Sequence, residues 1–163
     1  YLKMITYKTA VLVGAALKMG AIIAETSEEN KQKIYDFGIA LGIAYQLQDD
    51  YLDTFGDNTF GKKIGGDILQ NKKTLLYLNT LEKGSSEEKE ALMRLYKFPI
   101  ENEKEKITKV TQLFISTGSD LFLRSEVENY TLKAFSILDT LEISEQKKEI
   151  LKEFGKSLMN RNI

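Results

Sequence analysis

The chain has 163 residues, of which 42% are hydrophobic and 29% charged, and its formal net charge is −1. This composition is ordinary for one soluble globular domain, and it indicates neither a nucleic-acid partner nor stable membrane insertion. Cysteine and histidine are both absent, which excludes disulfides, zinc sites built from these residues, and catalysis by a thiolate or an imidazole. We expect a cytoplasmic protein. Because the chain begins with Tyr1 rather than Met, we also expect a fragment of a longer polypeptide.

Apolar residues recur at helical spacing along the chain, and strand-like alternation is nearly absent. The first helix is predicted from Leu2 to Glu25. It is apolar almost all round from Ala10 to Ala24, so we expect it to be central and buried. Thr26 and Glu29 are spaced as a capping box for the second helix, predicted from Glu28 to Phe55.

A loop rich in glycine and lysine is predicted next, from Asp57 to Gln70. Helix start and stop signals then predict five further helices: Asn71 to Gly84, one capped by Ser85 and Glu88 and ended by Pro99, Glu103 to Thr117, Ser119 to Leu141, and Ser144 to Asn160. With no linker or internal repeat visible, the sequence predicts one all-helical domain over residues 1–163.

Three aspartates, Asp49, Asp50 and Asp53, occupy the last two turns of the second helix. On a helical wheel, Asp49 and Asp53 continue a line that begins with Gly38 and Gly42, which we expect to leave open space beside the apolar stripe. Like charges at i and i+4 are unfavourable by roughly 0.2–0.5 kcal/mol, and a carboxylate at a helix C-terminus opposes the dipole at a cost of roughly 0.3–1 kcal/mol.

A bound cation would remove both penalties. A ligand set of oxygen atoms alone favours Mg²⁺ or Mn²⁺, with Ca²⁺ as a further alternative. The structural alternative is an acidic helix end that is simply solvated.

The loop after the aspartates combines glycines with two lysines, in the segment Gly61-Lys62-Lys63-Ile64-Gly65-Gly66-Asp67. Glycine lets the backbone approach a ligand closely, and lysine is a flexible point charge suited to phosphate. An anion held through a metal ion at the aspartates could therefore also be bound by Lys62 or Lys63. The alternative for this loop and for Lys72 is that the lysines are simply solvated at the surface. The alternative for Lys8 is a lysine that snorkels from a helix end.

Three segments together resemble one known family. The segment Gly42 to Asp53 (GIAYQLQDDYLD) resembles the second aspartate-rich motif of trans-isoprenyl diphosphate synthases, the farnesyl and geranylgeranyl diphosphate synthase group. The segment Phe60 to Ile68 (FGKKIGGDI) resembles the loop that follows that motif, and Lys8-Thr9 resembles the family's upstream Lys-Thr pair. The resemblance implies an all-α fold, the C-terminal part of the isoprenoid synthase helical bundle with a central cavity.

The resemblance also implies a reaction, the condensation of isopentenyl diphosphate with an allylic diphosphate, releasing diphosphate. Asp49, Asp50 and Asp53 would bind Mg²⁺, directly or through water. The predicted catalytic contacts to the allylic diphosphate are Lys8, Thr9, Gln46 and Lys63. Tyr45 and Lys72 are further substrate-binding residues, and Lys72 and Asp67 are the weaker members of the set. The sequence does not settle whether a dimer forms, and a homodimer is suggested only by analogy with the family.

The family's first aspartate-rich motif is absent from the 163 residues, and the resemblance implies that it lies upstream of Lys8. We therefore expect the chain to be inactive alone. A regulatory synthase subunit and a plain helical interaction domain remain alternatives. A terpene cyclase fits poorly, because its pattern needs Ser or Thr where Asp53 stands and Glu where Asp57 stands.

Overall fold

The computed structural model describes residues 1–56, 63–98 and 102–159, and in this part of the chain every regular element is helical. The prediction of an all-α fold is confirmed. The helices are, in chain order, α1 Leu2–Ile23, α2 Glu28–Phe55, α3 Gly66–Leu69, α4 Leu75–Lys83, α5 Ser86–Lys97, α6 Glu103–Ser116, α7 Ser119–Asp139 and α8 Glu145–Met159.

The described residues divide into two compact units, each of which has its own core. The first contains Tyr1 and Asp49–Ser125, and the second contains Leu2–Gln48 and residues 126–159. Helix α2 contributes its last turns to the first unit and the rest to the second. The prediction of one domain over the whole chain stays a prediction.

In the first unit, α4, α5 and α6 pack on one another, and α3 packs against α6. Its fully buried apolar side chains are Leu52, Ile68, Leu76, Leu92, Val110, Phe114 and Leu123. A buried polar cluster lies in the same unit, where the Ser119 hydroxyl accepts from Asn79 Nδ2 at 3.0 Å and lies 2.8 Å from the Thr80 hydroxyl. Thr117 adds a further hydroxyl 2.9 Å from that of Ser119.

In the second unit, the core forms where α2 packs against α7 and α8. Its buried members are Ile34, Phe37, Ala40, Leu41, Ala134, Leu138 and Leu141. Gly38 and Gly42 bring α2 close to α1, because a Cβ atom at either glycine would lie 2.7 Å from the Cα of Gly14 or Ala10. The predicted open space beside these glycines is therefore wrong, since the backbone of α1 fills it.

Most predicted helix ends are confirmed within a residue or two. Ser85 and Glu88 form the predicted capping box, with both reciprocal hydrogen bonds present. The predicted N-terminal cap of α2 is wrong by one position. The hydroxyl of Ser27, not that of Thr26, accepts from the backbone N–H of Asn30 at 3.2 Å. Pro99, the predicted end of α5, and Asn160, the predicted end of α8, lie outside the described residues.

The segment after α2 departs further from prediction. Helix α3 forms inside the predicted loop, and α4 begins at Leu75 rather than Asn71. Asn71 instead has a left-handed backbone conformation, with φ of 54°. Asparagine tolerates this conformation because its short polar side chain bonds locally. A helix cannot continue through such a residue, so the chain turns before α4.

The prediction that α1 is central and buried is wrong for the described structure. Only Ile5, Ala10 and Gly14 are buried in it, whereas Leu12 is 75% exposed and Ile23 is 82% exposed. Among the described helices, α1 alone is long and apolar enough to cross a membrane by length and composition, and 17% of its most apolar window is buried. Core helices of soluble proteins pass the same test, so this finding has little weight alone.

Candidate functional site

Two of the predicted substrate ligands lie in an unusual stretch of α1. Residues Thr6–Ala10 form a π-helical segment that contains Lys8 and Thr9. Such segments are rare and occur frequently at functional sites. Neither the helical periodicity nor the composition of the sequence signalled it.

The second unit brings Thr9 into direct contact with Gln46. The Thr9 hydroxyl donates a 2.9 Å hydrogen bond to Oε1 of Gln46 in α2, which joins residues 37 positions apart. Lys8 is exposed beside Thr9, and Tyr45 is half-buried beside Gln46. The predicted roles of these four residues toward an allylic diphosphate stay predictions, but a polar contact between the two motifs exists.

In the first unit, the aspartate motif at the end of α2 meets the start of α3. The backbone N–H of Asp67 donates to Oδ2 of Asp53 at 2.8 Å, and the N–H of Gly65 donates to the Asp53 carbonyl oxygen at 2.6 Å. A Cβ atom at Gly66 would lie 3.1 Å from Oδ1 of Asp53, closer than most such contacts. The paired glycines therefore let the loop close tightly on this carboxylate.

Asp67 also forms an ion pair with Lys72. Its Oδ1 accepts a 2.5 Å hydrogen bond from Nζ of Lys72, whose side chain is half-exposed. This bond, with the nearby Asp67 charge, raises the pKa of Lys72 and keeps the lysine charged. Asp67, a weaker member of the set predicted from sequence, thus contacts both a motif aspartate and a predicted substrate lysine.

Asp50 is the most buried of the three motif aspartates, with 4% of its surface exposed. The Tyr1 hydroxyl donates a hydrogen bond to its Oδ2. Burial, and then the negative charge of Asp67, raises the pKa of Asp50 to about 8. The pKa of Asp53 is also raised, first by burial, although the N–H of Asp67 partly opposes this. The negative charge of Asp67 therefore disfavours the ionised forms of both Asp50 and Asp53.

The donor set of this cluster fits a hard cation, although the side chains do not converge on a single point. In residues 1–56, 63–98 and 102–159, no group of three or more acidic side chains is arranged around one ion position. Carboxylate oxygens are the ligands that Mg²⁺ prefers, and Mg²⁺ commonly takes only one or two of them, completing its shell with water and substrate phosphates. The cluster fits that mode of binding rather than a cage made wholly of protein.

Lys63, a predicted catalytic residue, is largely exposed and forms an ion pair with Glu103 at 2.6 Å. An exposed pair of this kind contributes little stability, roughly 0–1 kcal/mol, so it is easily exchanged for another anion. Lys62 lies outside the described residues. Asp49 is half-buried on α2 and, like Asp50 and Asp53, belongs to the first unit.

Comparison with known proteins shows the family of this chain. The family model described as "Polyprenyl synthetase" matches residues 1–114, and the chain belongs to that family. A short chain isoprenyl diphosphate synthase of Methanothermobacter thermautotrophicus is 30% identical over 151 residues, which cover 92% of this chain and 46% of that protein. Component 2 of the heptaprenyl diphosphate synthase of Bacillus subtilis is 32% identical over 142 residues, covering 86% of this chain and 39% of that one.

Among solved structures, a geranylgeranyl pyrophosphate synthase superposes with a TM-score of 0.91 at 43% sequence identity. The match covers all of this chain and 51% of that protein. The fold is therefore that of the helical prenyl synthases. The chain spans about half the length of the relatives that it matches.

Proposed function

We propose that this chain supplies the part of a prenyl diphosphate synthase that binds Mg²⁺, or alternatively Mn²⁺, and the allylic diphosphate. The whole enzyme would condense isopentenyl diphosphate with an allylic diphosphate and release diphosphate. The observation that carries the proposal is the cluster of Asp50, Asp53 and Asp67, whose mutual repulsion a cation would relieve. Membership of the polyprenyl synthetase family supports the choice of substrate class.

The chain's own residues would act by position and charge. Asp49, Asp50 and Asp53 would hold the metal ions, and Asp67 would orient Asp53 through its backbone N–H. Bound Mg²⁺ would neutralise the charge that develops on the departing diphosphate. Lys8, Thr9, Gln46, Lys63 and Lys72 are assigned to the allylic diphosphate by the resemblance of their motifs, with Tyr45 beside the substrates.

Two of the lysines assigned to the diphosphate would have to exchange a carboxylate partner for it. Lys72 is bonded to Asp67 and Lys63 to Glu103, so each lysine already has an anionic partner. A diphosphate carries more charge than either carboxylate and accepts several hydrogen bonds at once. We infer that Lys63, the more exposed of the two, releases its carboxylate when diphosphate binds.

Binding of Mg²⁺ with inorganic diphosphate tests the proposal without requiring turnover. We expect the pair of ligands to raise the thermal midpoint of the 163-residue chain, and either ligand alone to raise it less. In Asp53→Asn this increase should be lost. Asp36→Asn is a matched control, because Asp36 is an exposed aspartate of the same helix. An increase that persists in Asp53→Asn would overturn the assignment of the metal site.

Turnover requires the rest of the family fold, so activity is measured in a fusion. The remainder of the Methanothermobacter thermautotrophicus synthase would be joined to this chain and assayed for prenyl transfer. We expect product from the fusion and none from its Asp53→Asn variant. A fusion that binds Mg²⁺ and diphosphate without forming product would favour the alternative of a regulatory subunit.

A further inference from the structure

The first unit contains a buried lysine whose described partners are all neutral. Lys106, at the end of the first turn of α6, is 6% exposed. Its Nζ donates a 2.6 Å hydrogen bond to Oδ1 of Asn71 and lies 5.6 Å from the centre of the Tyr96 ring. Among residues 1–56, 63–98 and 102–159, no carboxylate forms an ion pair with Lys106.

The Lys106 ammonium has been withdrawn from water without a matching negative charge. Burial lowers the pKa of Lys106, and in the described structure no anion opposes this effect. Charged groups that are buried to this degree are normally paired, because desolvation is costly. An ammonium group has three N–H donors, of which Asn71 accepts from one. A purely structural bond to Asn71 would need a donor but no charge, so the charge itself indicates an anionic ligand.

A cavity beside Lys106 is large enough for such a ligand. The volume of this space, the Lys106 cavity, is about 400 Å³, and Lys106 and Asn71 line it together with Lys97 at the end of α5 and Glu103 at the start of α6. Small-molecule sites commonly have volumes of roughly 300–1,000 Å³. Every lining residue belongs to the first unit, so the cavity lies within one compact body.

The charges that line the Lys106 cavity favour an anion. Two lysines, Lys97 and Lys106, line it together with one acid, Glu103. The Glu103 carboxylate already accepts from Nζ of Lys63 at 2.6 Å, so its charge is balanced by a lysine that does not line the cavity. Lys97 is exposed and can therefore reorient towards a ligand at low cost. The lining as a whole carries excess positive charge.

The rest of the lining is apolar or aromatic. Leu69 and the rings of Tyr96 and Phe98 form it, and Phe98 is 55% exposed. Lysine acts as a flexible point charge suited to phosphate, whereas a phosphate group alone offers no apolar surface to these side chains. The lining therefore fits a phosphate group that is attached to a small apolar or aromatic body.

We propose that the Lys106 cavity is a second anion site, in which Lys106 and Lys97 bind the phosphate group of a small organic phosphate without a metal ion. The proposal goes beyond the proposed function and does not rest on it, because none of Asp49, Asp50 and Asp53 lines the cavity. The two sites therefore differ in their dependence on Mg²⁺.

Isothermal titration calorimetry of the 163-residue chain with phenyl phosphate, in the presence of EDTA, tests the proposal. Inorganic phosphate and phenol serve as comparison probes. We expect one site that binds phenyl phosphate about threefold or more tighter than either comparison probe, with Kd raised about tenfold or more by Lys106→Met and about threefold by Lys97→Met. Lys104→Met is the matched control, since Lys104 is an exposed lysine in the same turn of α6 that does not line the cavity. Asp53→Asn should leave the affinity unchanged.

Circular dichroism verifies that the variants fold, and Lys97→Met decides the outcome if Lys106→Met does not. The proposal is overturned if wild type shows no saturable binding up to about 10 mM phenyl phosphate, or if Lys104→Met weakens binding as much as Lys97→Met. Inorganic phosphate that binds as tightly as phenyl phosphate would overturn the assigned ligand class. Loss of binding in Asp53→Asn would place the phosphate at the aspartates instead. Failure of this site leaves the response to Mg²⁺ with diphosphate intact, so the two proposals fail separately.

Discussion

The backbone N–H of Asp67 donates a 2.8 Å hydrogen bond to Oδ2 of Asp53, and so joins the end of α2 to the first turn of α3. The bond favours the ionised form of Asp53, but burial and the Asp67 carboxylate oppose it, and the net result is a raised pKa. This contact thus orients the Asp53 carboxylate without fully compensating its negative charge. A cation bound at the end of α2 would supply the remaining compensation.

The stability of the metal-free chain should depend on pH through Asp50. Its pKa is raised from the ordinary value of 3.8 to about 8, so between these values the folded state binds more protons than the unfolded state. The free energy of unfolding should therefore fall as pH rises from 5.5 to 8, by up to about 1.4 kcal/mol per pH unit. Urea denaturation at several pH values measures this slope.

The matched variant for this experiment is Asp50→Asn, which removes the titrating group and should flatten the slope. Saturating Mg²⁺ with diphosphate should also flatten it, because a bound cation favours the ionised carboxylate. A wild-type free energy of unfolding that rises with pH over this window would contradict the prediction.

Gly65→Ala should destabilise the chain strongly. Gly65 has φ of +82°, and an added Cβ atom would lie 2.7 Å from side-chain atoms of Ile107. The left-handed conformation costs a residue with a Cβ roughly 1–2 kcal/mol, and the overlap adds to this, so a loss of about 2 kcal/mol or more is expected. Gly20→Ala is the control, since Gly20 is helical with open space around it and should be neutral or gain up to about 1 kcal/mol. Chemical denaturation compares the two variants, and equal effects would contradict the argument.

Ser119→Ala should weaken the first unit. The Ser119 hydroxyl is fully buried and bonds with Asn79, Thr80 and Thr117, so its removal leaves buried polar partners unsatisfied. We expect a loss of about 1–3 kcal/mol in the free energy of unfolding. Ser157→Ala provides the comparison, because Ser157 is an exposed helical serine bonded only to a nearby carbonyl oxygen in the described structure. Its substitution should change stability by less than about 0.5 kcal/mol.

Two substitutions at Asn71 separate backbone strain from hydrogen bonding. The residue has φ of 54°, and its Oδ1 accepts a 2.6 Å hydrogen bond from Nζ of Lys106, a lysine that is only 6% exposed. Asn71→Gly keeps the backbone conformation accessible but loses this bond, whereas Asn71→Ala loses both. Thermal denaturation should therefore show both variants destabilised, with Ala worse by roughly 1 kcal/mol. Equal losses would mean that the left-handed backbone carries no strain.

Much of the fold was predictable from local patterns. The cap at Ser85, the stop at Gly118 and the apolar stripe of α2 that contains Phe37 and Leu41 are all present. These features depend on residues a few positions apart, whose chemistry determines helix boundaries and faces. The order and spacing of the motifs likewise placed the chain in its family, and family membership does not depend on how the helices pack.

The tertiary structure alone decided which helix is buried and which aspartate is perturbed. Periodicity predicted that α1 is apolar, but whether an apolar face is covered depends on residues far away in the chain, or outside it. Asp49 and Asp50 are neighbours in the sequence, yet only Asp50 is buried, where the Tyr1 hydroxyl donates to it and the charge of Asp67 adds to the rise of its pKa. Desolvation and mutual repulsion of charges depend on distances in space, so they become visible only when the chain has folded.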